Sequence, residues 1–400
     1  MADVQQAISD IRRSVTAYDV LGYFVPGSVL VFAVSLFEYW SRSASIDPES
    51  VSVPINTALR TVLAGVANAS SWPAQVVVLL AAAISCYVVG HLVASLSAIA
   101  IDRFYVEKGR GYPFRRFLGG QVGHREITAS FSRGVFFWVN AYFLFRYLSL
   151  PGAIPLNRLL PSPLAYRLSD NALAIERLEW AATLSGIALV ILFVSWIVSL
   201  CLTISQWDSV LRINKSESGQ RLSAGLTFVA YVLSVPERFA SVLLAKLTHS
   251  RRPLDKETVA QFWSVRERCG AGNDRSDFSS AYWFAAMAVR ASGPSMSELA
   301  DNWLRLYGFS RNLGCALYLA ALYCGLWWLN VGSLVEFGTD HQRQMAFSVP
   351  VLLAIAAFLA LFRYYYLYTD YYSKFLIRAV AFGFADRALP SAKEWLSSSQ

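Results

Sequence analysis

Three groups of polar residues in this chain could do chemistry. His91, Ser95 and Asp102, with Ala98 between them, follow one another at spacings of 4, 3 and 4. On an α-helix that spacing lines an imidazole, a hydroxyl and a carboxylate along one face. Such a line is a pore or gating candidate, because an ionisable group at membrane depth is costly to bury in hydrocarbon. A neutral His91 hydrogen-bonded across helices is the structural alternative. The second group is Ser195, Ser199 and Thr203, again spaced by four, with Gln206 after them. A hydroxyl stripe of this kind either lines a pore or joins neighbouring helices by hydrogen bonds. The third is the basic set Arg103, Lys108, Arg110, Arg115 and Arg116, which could hold an anionic ligand or anionic lipid headgroups.

No catalytic signature accompanies these groups. The five cysteines (Cys86, Cys201, Cys269, Cys315 and Cys324) include no CxxC pair, and the four histidines are scattered, so neither a disulfide framework, a zinc site nor an HExxH metal motif is expected. Gly119-Gly120-Gln121-Val122-Gly123-His124 lacks the strand and spacing of a phosphate-cradling loop. An intramembrane serine protease of the rhomboid type would need GxSG and a later histidine. Thr183-Leu184-Ser185-Gly186 lacks the first glycine, and the last two apolar segments contain no histidine. A non-enzymatic protein without a metal or cofactor is the expectation.

The elements that position these groups are set by composition. Over 400 residues, 55% are hydrophobic and only 16% charged, with a mean hydropathy of +0.41. Soluble domains carry roughly 25% charged residues, so a soluble enzyme is excluded and an all-α polytopic membrane protein is expected. Uncharged runs of about 18 residues or more suffice to cross the hydrocarbon layer. Five occur, at 20–37, 73–101, 180–207, 312–335 and 344–362. A sixth segment, 134–150, is shorter and contains Asn140 and Arg146. Positive charge decides its treatment, since Lys and Arg near span ends stay cytoplasmic. If 134–150 spans, 28 of the 35 basic residues fall inside and 7 outside; if it does not, the split reverses to 14 and 21. Six spans with both termini cytoplasmic are therefore expected, in the inner membrane if the source is bacterial. The net charge of +8 comes from 29 Arg and 6 Lys, a bias that phosphate binding or genome composition would equally produce.

Between and around the spans, several helices are legible. Val4, Ile8, Ile11, Val15 and Tyr18 recur at 4 and 3, giving an amphipathic cytoplasmic helix over 1–19. Within the membrane block 20–207, a basic cytoplasmic loop occupies 102–133, and Ala82, Cys86, Gly90, Ala94 and Ala98 form a strip of small residues for close helix packing. Pro26-Gly27 predicts a kink in the first span. Residues 208–311 read as a helical cytoplasmic domain. In it Asp255 and Asp277 cap two helices, and Ser295-Met296-Ser297-Glu298 forms a capping box for a third that runs toward the fifth span. After the membrane helices of 312–362, the amphipathic tail 363–400 carries six tyrosines between Tyr364 and Tyr372, as expected of an interfacial girdle.

The stretch Tyr18 to Gly27 (YDVLGYFVPG), Val89-Gly90-His91-Leu92 through Ser97, and Gly111-Tyr112-Pro113 together resemble a layout found in uncharacterised bacterial polytopic proteins. There a DxLGYxxPG motif opens the first span, and a GH-containing span precedes a basic GYP loop. The resemblance covers roughly the first 115 residues. It implies a kinship with antiphage-defence membrane effectors that permeabilise the infected cell, such as the channel effector of Hailong-type systems, which a partner nucleotidyltransferase controls.

From these features a homo-oligomeric channel or pore is expected, gated through its basic cytoplasmic region by an anionic nucleotide or oligonucleotide. A non-conducting scaffold or sensor that recruits a soluble partner protein through 208–311 is the alternative, and a secondary transporter the third. The charge distribution suits the first, with a net +9 on the cytoplasmic side and −1 outside.

Overall fold

The computed structural model describes residues 20–44, 72–120, 127–148, 172–204, 217–247, 254–271, 274–331 and 340–383. Of the described residues 93% are helical and none lies in a strand, which suits a lipid solvent, where backbone groups must be satisfied within the segment. In chain order, a π-helical turn π1 (Val20–Phe24) leads into α1 (Val25–Ala44). Helix α2 (Trp72–Ser97) continues as the π-helical segment π2 (Ala98–Arg110), followed by the short α3 (Pro113–Phe117), α4 (Ile127–Leu148) and α5 (Ala172–Ile204). Then come α6 (Glu217–Leu233), α7 (Val235–Leu247), α8 (Lys256–Arg268), α9 (Phe278–Ala291) and α10 (Pro294–Val331). Helix α11 (Asp340–Phe362) passes through π3 (Arg363–Tyr368) into α12 (Thr369–Gly383). The amphipathic segment 1–19 and the end of the tail lie outside the described residues.

Among the described residues four stretches are long and apolar enough to cross a membrane: Val20–Tyr39, Gln75–Phe117, Glu176–Val198 and Ser348–Gly383. A fifth arises if the bent pair Arg221–Leu233 and Val235–Lys246 counts as one. The protein is therefore membrane-embedded and all-helical. Helices also form over 134–148, within α4, and over 312–331, within α10.

The chain divides into two units. The first comprises Met1–Ile101, Val135–Ile191 and Phe309–Leu361. Its tightest packing is between α1 and α2. A Cβ on Gly27 would collide with the Cys86 carbonyl oxygen, and one on Gly90 with the Tyr23 carbonyl oxygen, so only glycine permits this approach. Val93, Cys315 and Ala316 form a small core against Leu30, Val89 and Leu319.

The second unit comprises Asp102–Gly134, Leu192–Gly308 and Phe362–Gln400. Its core joins α8, α9, the start of α10 and α12 around Phe262, Trp263, Ala285, Val289, Leu376, Ile377 and Val380. Local chemistry sets the helix limits. The Asp255 carboxylate accepts from the Thr258 N–H at 2.6 Å and the Thr258 hydroxyl at 2.7 Å, opening α8, which ends before Gly270 at φ +68°. Those two bonds favour the ionised form and hold the Asp255 carboxyl below the usual range. Asp277 caps α9 through the Ser280 N–H at 3.0 Å. The capping box expected at Ser295–Glu298 does not open α10. The helix begins earlier, at Pro294, after Gly293 takes φ +134°, and the Ser297 N–H donates to the Gly293 carbonyl. Proline at the first helical position lacks only an N–H that would have no partner anyway.

Of the tail tyrosines, Tyr364, Tyr365, Tyr366 and Tyr372 are buried within the second unit, where polar partners for three of their hydroxyls lie, and Tyr371 is 53% exposed.

Candidate functional site

Two buried carboxylates organise the polar interior of the second unit, and each is approached by segments with π-helical winding. Asp102 on π2 accepts a hydrogen bond from the Tyr307 hydroxyl at 2.9 Å and another from the Tyr364 hydroxyl on π3. The Tyr307 and Tyr364 rings lie 5.1 Å apart. Glu237, in the first turn of α7, accepts from the Tyr105 hydroxyl at 2.8 Å and from Ser241 at 2.5 Å. It also pairs with Arg110 at 3.8 Å and with Arg133 at 3.7 Å.

Arg110 is the centre of this arrangement. It is 7% exposed, donates to the Tyr366 hydroxyl at 2.6 Å, and stands over the Tyr365 ring at 4.2 Å. Arg133 donates to the Gly109 carbonyl at 2.6 Å, fixing the end of π2 against α4. Arg238 bridges from α7 to Ser130 at 3.1 Å and to Ser234 at 2.9 Å. Within one unit, then, π2, the start of α4, α7 and π3 are tied by charge-assisted bonds. Two unit charges about 4 Å apart attract by about 4 kcal/mol at an effective dielectric of 20, but desolvation offsets most of it. The network therefore specifies one arrangement of helices more than it adds net stability.

The first unit has its own buried polar contacts. Asn312 donates to the Gly22 carbonyl of π1 at 2.7 Å and accepts from Ser97 at 2.6 Å and from Arg311 at 3.1 Å. Glu38 is 2% exposed and accepts from the Tyr323 hydroxyl, beside an edge-on contact of Phe37 with Trp327. A carboxylate buried in an apolar span is costly. Asn140 donates within its own helix, to the Phe136 carbonyl at 2.6 Å, and lines a cavity of about 350 Å³ with Tyr318, Gly325 and Pro350.

The sequence-predicted residues are placed as follows. His91 and Ser95 are on the exposed side of α2. His91 stacks on Tyr23 at 3.9 Å and meets Tyr87 edge-on, and Ser95 donates to the His91 carbonyl. Asp102, by contrast, is buried, on the π2 segment whose winding from Ala98 is i→i+5. Ser195 is buried, while the side chains of Ser199, Thr203, Gln206 and Asn330 lie outside the described ones. Along α2 the strip of small residues turns inward at Gly90 and Ala94, and Ala82, Cys86 and Ala98 are half-buried. Of the five basic residues, Arg103 and Lys108 are exposed, Arg110 is committed to the network above, Arg115 stands over Phe278 and Arg116 pairs with Asp370 at 3.9 Å. They do not form one surface, because Arg110 points into the protein.

Sequence reasoning missed Glu38, Asn312, Glu237 and Arg133. Glu38 lay one position beyond the apolar run and Asn312 at the edge of another, and both were treated as boundary residues. Glu237 and Arg133 carried little local signal, since Tyr105 and Gly109, which they engage, are 132 and 24 residues away. It also missed a groove of about 830 Å³ lined by Trp303, Tyr371, Lys374, Arg378 and Phe382, where Trp303 and Tyr371 stack at 5.8 Å. Lys374 there pairs with Asp370 at 2.9 Å. Among the described residues no three His, Cys, Asp or Glu side chains are grouped to hold a metal ion. No protein-family model, curated protein or solved structure matches this chain.

Proposed function

We propose that this protein is a homo-oligomeric membrane channel or pore whose opening is governed by its second unit. The observation that carries the reading is the exterior of α2. Only 11% of its most apolar stretch is buried within one copy, yet His91, Ser85 and Ser95 stand among the exposed residues. A polar imidazole is costly against hydrocarbon, and assembly would relieve that cost by placing it against another copy or in water. Six spans with both termini cytoplasmic belong to the same proposal and rest on the distribution of positive charge. An inner-membrane location and a place in bacterial antiphage defence rest on the resemblance of the first 115 residues alone.

Gating is assigned to the network of Asp102, Arg110, Glu237 and Tyr364. It lies in the second unit, and π2 and π3 are its backbone. Long π-helical stretches are rare and concentrate at functional positions, because they are readily rewound to α. A shift between the two windings would change which residues of π2 point inward. The ligand class suited to the groove beside α12 is an anion with an aromatic part, held by Lys374 and Arg378 and by the Trp303–Tyr371 pair.

The test is single-channel recording of the purified protein in a planar bilayer, with the oligomer mass measured on the same sample. Stepwise currents from a defined oligomer, altered in His91→Leu, support the reading. A silent monomer refutes it and leaves the scaffold that recruits a soluble partner.

A further inference from the structure

Helices α6 and α7 present the reverse of what water demands. One stripe, Phe228, Val232, Val235, Phe239 and Val242, recurs at 4, 3, 4 and 3 and is exposed along its length, with Phe228 at 66% and Phe239 at 71%. The opposite stripe, Ala230, Ser234, Glu237, Ser241 and Ala245, is buried along its length. A surface helix in water turns its large apolar side chains to the core and its charges outward. Here the carboxylate is inside and the phenylalanines are outside. Leu222, Val229, Tyr231 and Leu243 widen the exposed apolar face.

The two stripes persist across a break. Pro236 in the first turn of α7 lacks the N–H that would continue the helical ladder, and the pair bends by 46° there. The break is closed internally. The Ser234 hydroxyl donates to the Tyr231 carbonyl at 2.8 Å, and the Arg238 Nε donates to the Ser234 hydroxyl at 2.9 Å. Broken helices at membrane depth are tolerated where neighbouring side chains engage the backbone around the break. The charged side of the pair is likewise engaged, Glu237 by Tyr105, Ser241, Arg110 and Arg133. Basic residues bracket the apolar stripe, Arg221 at one end and Lys246 at the other, both exposed, as at the headgroup edges of a membrane segment.

We infer that α6 and α7 form a bent segment embedded in the bilayer, its outer stripe in contact with lipid hydrocarbon. The occupant is lipid and not a soluble partner because the pair meets the same length and apolarity criterion as the chain's other membrane stretches. Its inner charges are also satisfied within the chain, leaving none on the outer stripe to specify a protein. Residues 217–247 then leave the cytoplasmic domain, and the Arg110–Glu237–Arg133 network lies beneath a lipid-facing helix pair. This inference is independent of whether the protein conducts.

The test places p-benzoylphenylalanine, one position at a time, at Phe228 and Phe239 of the full chain reconstituted in phosphatidylcholine and phosphatidylglycerol vesicles. Leu184, exposed on the membrane stretch of α5, and Glu257, exposed on α8, are the lipid and water references. After illumination, mass analysis is expected to show lipid adducts at 228 and 239 with a yield like that at 184 and several-fold above that at 257. Yields at the level of 257 would overturn the inference by placing the stripe in water. Adducts to a second copy of the chain in place of lipid would overturn it by assigning the face to an oligomer contact. Two positions guard against one substitution that disturbs the fold, since either gives the same contrast.

Discussion

Replacing Glu237 by Gln isolates the charge at the centre of the second unit. The amide oxygen of Gln can still accept from Tyr105 and Ser241, which lie at 2.8 and 2.5 Å, so those bonds survive. Lost is the charge facing Arg110 and Arg133, whose side chains are only 6% and 12% exposed. Each pair, near 4 Å, is worth about 4 kcal/mol of gross attraction at an effective dielectric of 20. Relief from burying the carboxylate offsets much of this, and removal of one partner from a buried pair typically costs about 3–5 kcal/mol. We take about 3 kcal/mol, because Arg110 keeps its contacts with Tyr365 and Tyr366. For a chain of this size that corresponds to a fall in Tm of roughly 3–4 °C. Cys315 and Cys324 are buried, so a thiol-reactive fluorophore reports unfolding in detergent directly. The double variant Glu237→Gln with Arg110→Met should recover part of the loss, since it leaves one fewer unpaired buried charge. A single variant that melts within about 1 °C of the parent, or a double variant whose losses merely add, would refute the buried network as drawn.

Other expectations follow from the same geometry. Gly90→Leu should abolish the close approach of α1 and α2, since even a Cβ meets the Tyr23 carbonyl; loss of the folded protein in size-exclusion chromatography checks this, and a normal profile contradicts it. Asp255→Asn should remove a pH dependence. The Asp255 carboxyl is held below its usual range, so its stabilisation is full above about pH 5 and is lost as pH falls through the unfolded value near 3.9 and then the lower folded one. The difference in Tm between parent and variant should therefore shrink from pH 6 toward about pH 3. Tyr364→Phe removes a donor to Asp102 and should alter open probability in bilayer recordings if π3 takes part in gating, while the conservative loss leaves expression intact. Arg115→Gln with Arg116→Gln tests the basic loop, and an unchanged response to nucleotide at normal expression would remove that loop from the mechanism.

Much of the architecture could be read without coordinates because apolar runs and caps are local. The four membrane stretches coincide with the runs at 20–37, 73–101, 180–207 and 344–362, and Asp255 and Asp277 cap the helices that follow them. Spacing does not report burial: His91 is exposed and Asp102 buried, although intervals of 4, 3 and 4 align them. At α7 the sequence could not show how Glu237 and Arg238 are satisfied. Their partners Tyr105, Arg133 and Ser130 are more than 100 residues away in the chain.

The sequence by itself determined that this chain lives in lipid, that it is helical, and that Gly90 belongs to a strip of small residues suited to close packing. These follow from transfer free energies and sterics that act on neighbouring residues. Only the tertiary structure decided which charges are buried and satisfied. An Arg or Glu in a membrane segment is tolerable or ruinous according to its partner, and Arg110, Glu237, Arg133 and Tyr366 come from four separate stretches of the chain.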